Sequence, residues 1–257
     1  DEIGVLGSGT DTDLEFAASS SVNVSTTGTG AMGLDGRGAL TLSDVDTADG
    51  TITVTSAGAL TVTDVATGNN NAIALTTSSG DITGLATANA GSGAVTLNAA
   101  GAIVDDSDAS TVVTGGVLTA DAAGAITIDS TVTSADISTS AAGAIALDET
   151  DGITLTDLDT TDGSITVSAG GALTATDVVA GGGTGDSVTL STTTGGAVAT
   201  LVTGADAVSI TADAGDITIG AVTATAGTLG VTATTGSIND AADDSTADFT
   251  AVGLITL

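Results

Sequence analysis

The sequence predicts an all-β chain wound as a parallel β-helix (a β-solenoid) of about 21 residues per coil and roughly 12 coils. Three observations lead there. A Gly-centred phrase recurs along the chain, a second alternating segment follows about half a period later, and the apolar bulk is aliphatic. Only Phe16 and Phe249 carry rings, so core layers must be thin and filled by Ala, Val, Ile and Leu. Thr makes up about a fifth of the 257 residues and there are 37 Gly. Thr, Val and Ile suit a pleated surface because they branch at Cβ, whereas Gly and Asp suit turns. No stretch of useful length carries the 3.6-residue apolar spacing of an amphipathic helix.

The first phrase is Gly, a small or acidic residue, then Ile, Leu or Val, often followed by Thr. Copies start at Gly38, Gly58, Gly80, Gly101, Gly124, Gly143, Gly171, Gly196, Gly215 and Gly236, in steps of 20, 22, 21, 23, 19, 28, 25, 19 and 21. The long step after Gly143 is expected to hold an insertion around Asp148-Glu149-Thr150-Asp151. The second segment is exemplified by Thr51-Ile52-Thr53-Val54, Ser164-Ile165-Thr166-Val167 and Ala207-Val208-Ser209-Ile210. Large apolar residues two apart share one face of a strand, with Thr, Ser or Ala on the other. A longer echo matches residues 38–68 to 151–181 at 18 of 31 positions, an offset of 113, as expected from duplication of several short units. A unit this short cannot bury its apolar face alone, but stacked copies can. One solenoid segment spanning 1–257 is expected, less regular over 1–37, and cut from a longer repetitive chain.

Charge narrows the function classes. Thirty-two acidic side chains face a single base, Arg37, for a formal net charge of −31. Such a chain repels phosphate backbones and anionic lipid surfaces, so neither nucleic acid nor membrane insertion is expected as a partnership. Without His, Cys, Lys or Tyr there is no Ser-His-Asp triad, thiol nucleophile or Schiff-base lysine. A carboxylate pair could still cleave a glycoside, but no aromatic platform is present to stack a sugar, so no enzyme is expected.

The phrases Gly-Ala-Ile-Thr-Ile, Gly-Ser-Ile-Thr-Val-Ser-Ala and Gly-Asp-Ile-Thr-Ile, running nearly the whole length from about residue 38, resemble the repetitive shafts of large bacterial surface proteins. Filamentous-haemagglutinin-like adhesins and autotransporter passenger domains are the nearest types. The resemblance implies secretion to the bacterial cell surface, a right-handed β-helix and a role as stalk or adhesive fibre. Near absence of Lys, Arg, Asn-rich ladders and aromatics is where the sequence departs from those types.

The best candidates for chemistry are Asp44, Asp46 and Asp49 with their echo Asp157, Asp159 and Asp162. Closely spaced carboxylates before a Gly are the composition of an oxygen-ligand loop for Ca²⁺, here without the distal Glu of an EF-hand. The competing reading is a solvated acidic corner. No cofactor is required. Asp105-Asp106-Ser107-Asp108 and Asp240 with Asp243-Asp244 read as exposed acidic loops. Gly182-Gly183-Thr184-Gly185-Asp186 carries no Lys and is rejected as a phosphate loop. Thr-x-Thr pairs such as Thr51/Thr53 and Thr174/Thr176 could order water if aligned, though plain strand propensity also accounts for them. The expected function is a non-enzymatic stalk or filament building block that self-associates end to end. The alternative is an adhesin whose acidic loops bind divalent cations or a cell-surface partner.

Overall fold

A computed structural model of the protein describes residues 13–17, 20–108, 113–242 and 246–257. The described residues form strands and turns with no helix, in a parallel β-solenoid of about 11 turns set about 20 residues apart. The chain divides into two compact units, residues 1–132 and 133–257.

In the first unit each coil contributes strands to three columns, and every column is built by parallel pairing with the coil one period away. One inward ladder runs Met32, Ile52, Ile73, Val95, Leu118. A second runs Leu40, Leu60, Ile82, Ile103, Ile126, and a third Val45, Val65, Ala88, Val113. In the second unit three inward ladders read Ile145, Ile165, Val188, Val208, Leu229; Ile153, Leu173, Ala197, Ile217; and Ile137, Leu158, Val178, Val202, Val222. Nearly all of these side chains are fully buried. Alternation along most strands makes this possible, because inward aliphatics are flanked mostly by outward Thr, Ser, Ala or Asp.

Turns are tied by a device that recurs in both units. A buried Thr at a strand end donates its hydroxyl to the carbonyl of a residue three or four positions on: Thr47 to Gly50, Thr67 to Asn71, Thr77 to Gly80, Thr139 to Gly143, Thr160 to Gly163 and Thr192 to Gly195. The bond satisfies a hydroxyl that the core would otherwise strand. Glycine is needed where coils approach closely. A Cβ on Gly50 would stand 2.1 Å from the Gly30 carbonyl oxygen, and one on Gly163 would stand 2.3 Å from that of Gly143.

Register corrects the expected insertion. Ile145 pairs with Ile165 and Ile153 with Leu173, so the counterpart of Gly143 is Gly163, and that of Gly152 is Ala172 beside Gly171. The step from Gly143 to Gly171 mixed two turn columns that share one spelling. Residues 148–151 belong to a strand end and turn of ordinary length. Ser20–Thr26 pairs in parallel with Leu40–Thr47, with a register shift between Val22 and Asn23, and Met32–Gly36 pairs with Ile52–Ser56.

Candidate functional site

Each unit carries an acidic corner where the chain passes from one strand column to the next. Alternation breaks there: two consecutive residues face outward between two inward ones. In the first unit Ser43 and Asp44 stand between buried Leu42 and Val45, and in the second Thr156 and Asp157 stand between Leu155 and Leu158. The next coil repeats the geometry with Thr63-Asp64 before Val65 and Thr176-Asp177 before Val178. Register therefore stacks Asp64 on Asp44 and Asp177 on Asp157, while Asp46 and Asp159 project from the same strands two residues further along. The coil on the other side offers Asn23 opposite Asp44 and Asp136 opposite Asp157. Asp46 lies between Ser25 and Ala66, and Asp159 between Ser138 and Val179.

Proton affinity reflects this crowding. The Asp46 carboxyl is pushed up by partial burial first, then by Asp44 and by Asp64. Asp64 is pushed up by burial and then by Asp44. Asp159 is raised by burial, then by the charge of Asp157 and a side-chain hydrogen bond with it, then by Asp177 and Asp136. In the first unit Asn23 Nδ2 donates to Asp44 Oδ2 at 3.2 Å. The buried Oδ1 of Asp177 has no hydrogen-bond partner. An open groove of about 450 Å³ passes Asp46 between Thr27, Ala48, Ala66 and Gly68.

The remaining sequence candidates lie elsewhere. Asp49 sits in the following turn, where its Oδ1 accepts from Asn71 Nδ2 at 3.0 Å. Asp162 likewise leaves the corner: its Oδ1 lies beside Gly182, close to Oδ2 of Asp186. The structure thus brings together Asp44 with Asp46, and Asp157 with Asp159, but adds Asp64 and Asp177 rather than Asp49 and Asp162. Spacing contained the signal for the added pair, since Thr-Asp-Val recurs 20 residues after Asp44 and Asp157 in both halves of the long echo. Among the described residues no group of three or more acids is arranged to hold a metal ion.

Asp105 and Asp106 cap their own loop, accepting from the amides of Ser107 and Asp108. Asp186 does the same for Gly183, and Asp240 for Ala242. Asp243 and Asp244 lie outside the described residues. What the corners can do chemically is share protons between neighbouring carboxyls and concentrate cations in front of a charged face. Neither family models, nor curated proteins, nor solved structures yield a match to the chain.

Proposed function

We propose that this chain is a non-enzymatic structural segment of a secreted bacterial surface or extracellular fibre protein, serving as stalk or filament building block. The observation that carries the reading is the run of parallel-paired aliphatic ladders in each unit, under an outer surface of mainly small polar and acidic side chains with scattered exposed aliphatics such as Val117, Val198 and Leu201. Such a body resists local deformation because every rung is hydrogen-bonded on both sides. Its charge keeps strand edges of different molecules apart until they meet end to end. Arg37, the single base, is paired with Glu15 on the adjoining coil and leaves no cationic surface to hold an anionic substrate. Immunogold labelling of native cells is the test: label along surface filaments or stalks supports the reading, and label confined to the cell interior overturns it.

A second reading, an adhesin that gathers divalent cations, is favoured by one observation: the acidic corner is built twice, at matching positions of both units. Without a fixed ligand set, cations would gather in front of the stacked carboxylates, Asp44, Asp46 and Asp64 in one unit and Asp157, Asp159 and Asp177 in the other. Calorimetric titration with Ca²⁺ at moderate salt tests it. Saturable heat with a rise in melting temperature supports the reading, and no heat with no thermal shift removes it.

A further inference from the structure

Among the described residues, every buried polar side chain is a Ser or Thr except one, Glu149, which is 1% exposed. It ends the strand Ile145–Glu149, where alternation directs Ile145, Leu147 and Glu149 inward. The same inward column continues through Ala169, Thr192, Ala212 and Ala233. A carboxyl thus occupies a place otherwise filled by a methyl or by a hydroxyl that ties a turn. Its Oε1 accepts from the amide of Asp151 at 3.3 Å, so the side chain braces the turn 149–152 from within. The next coil rests on that turn: Gly170 N donates to the Glu149 carbonyl and Gly171 N to that of Asp151, each at 2.8 Å.

No cation is available to balance a charge there. Residues 133–257 contain no Lys, Arg or His, and the one base of the chain is paired with Glu15. The charged groups on Glu149's own strand and turn are Asp148 and Asp151, both exposed. Ile165–Ala169 and the turn after it bring none. Ile126–Ala142, which leads into the strand, brings Asp129 and Asp136, and Ile153–Asp162, which leaves the turn, brings Asp157, Asp159 and Asp162. Every one is an acid, so ionising Glu149 adds a buried negative charge to a negative neighbourhood.

We propose that Glu149 is a proton-operated latch on the turn 149–152. As the neutral acid it accepts the Asp151 amide and keeps its own O–H to donate within the interior. When that O–H gives its proton to solvent water, the carboxylate draws water inward and the turn opens, releasing the contacts of Gly170 and Gly171. The second unit is closed in acid and loosened as pH rises.

Hydrogen exchange read as protection factors at Gly170 and Gly171, in the full chain, tests this. Protection in the wild type should fall by about tenfold or more between about pH 5 and about pH 8, since each unit of pH past the folded-state midpoint weakens the closed form about tenfold. In Glu149→Gln the fall should be no larger than that at Ala197, beyond the turn tied by Thr192, which reports in both proteins the loss shared with the acidic corners. Constant protection in the wild type, or an equal fall in Glu149→Gln, overturns the proposal. Should Glu149→Gln not fold, carboxyl-carbon NMR of the wild type decides. The chain has three glutamates, and one midpoint well above the ordinary glutamate range supports the latch. All three midpoints at or below that range overturn it.

Discussion

The two acidic corners share one backbone and differ at one key position. Where the first unit has Asn23 below Asp44, the second has Asp136 below Asp157. Asn23 donates a hydrogen bond to Asp44, whereas Asp136 adds to the charges that raise Asp159. A second contrast lies beneath the corners: the Thr139 hydroxyl donates to the Gly143 carbonyl, whereas its echo Thr26, buried to 6% exposure, has no partner for Oγ1. The comparison teaches that the aliphatic ladder under each corner sets the fold, and that the polar details above it are tuned independently, one favourably in each unit.

The largest effect should come from the shared ladder. Leu158 is fully buried beneath the second corner, and Leu158→Ala should cost about 2–5 kcal/mol in urea unfolding. A loss below about 1 kcal/mol would break the claim that the ladder supports the corner.

Next comes pH. Asp46, Asp64 and Asp159 have raised folded values, so the folded state binds more protons than the unfolded chain between the two midpoints. Their stabilisation is complete below the unfolded value near about 3.9 and is lost as pH rises through the folded values. The melting temperature should therefore rise as pH falls from about 7 to about 5, and Asp159→Asn should blunt that rise. A melting temperature that falls over this interval contradicts the assignment.

A smaller effect separates the two buried threonines. Thr139→Val removes a bonded hydroxyl and should cost about 1 kcal/mol, while Thr26→Val removes an unpartnered one and should be neutral or stabilising. Equal losses in thermal denaturation would erase the contrast. The smallest effect belongs to the exposed pair. Asp136→Asn should stabilise by a few tenths of a kcal/mol at neutral pH and low salt, with Asn23→Asp doing the reverse, and both should fade at high salt.

Much of the fold was legible because period-2 alternation and a period near 20 residues are written directly in the aliphatic positions. Column assignment was less so. Gly143-Ala144-Ile145 and Gly171-Ala172-Leu173 are spelled alike yet open different strand columns, and only pairing distinguishes them. The acidic site was half legible. Asp44 and Asp46 could be grouped by nearness in sequence, but nearness also drew in Asp49, which the turn carries away. Asp64 and Asp177 required reading one coil ahead. Glu149 was hidden by its acidic neighbours, although Ile145-x-Leu147-x-Glu149 continues an inward alternation that predicts its burial.

Paired cysteines test the central claim, registered parallel stacking of coils, most directly, because the native chain has no Cys to interfere. Thr166 and Thr189 are exposed register partners on adjacent strands, at the roughly 4.8 Å spacing of a parallel pair, within the range a disulfide spans. Thr166 and Thr211 lie two strands and two register positions apart. Mild oxidation should crosslink Thr166→Cys/Thr189→Cys within one molecule and leave Thr166→Cys/Thr211→Cys as free thiols. Equal crosslinking of both pairs, or crosslinking of the second pair alone, would contradict the stacked-coil account.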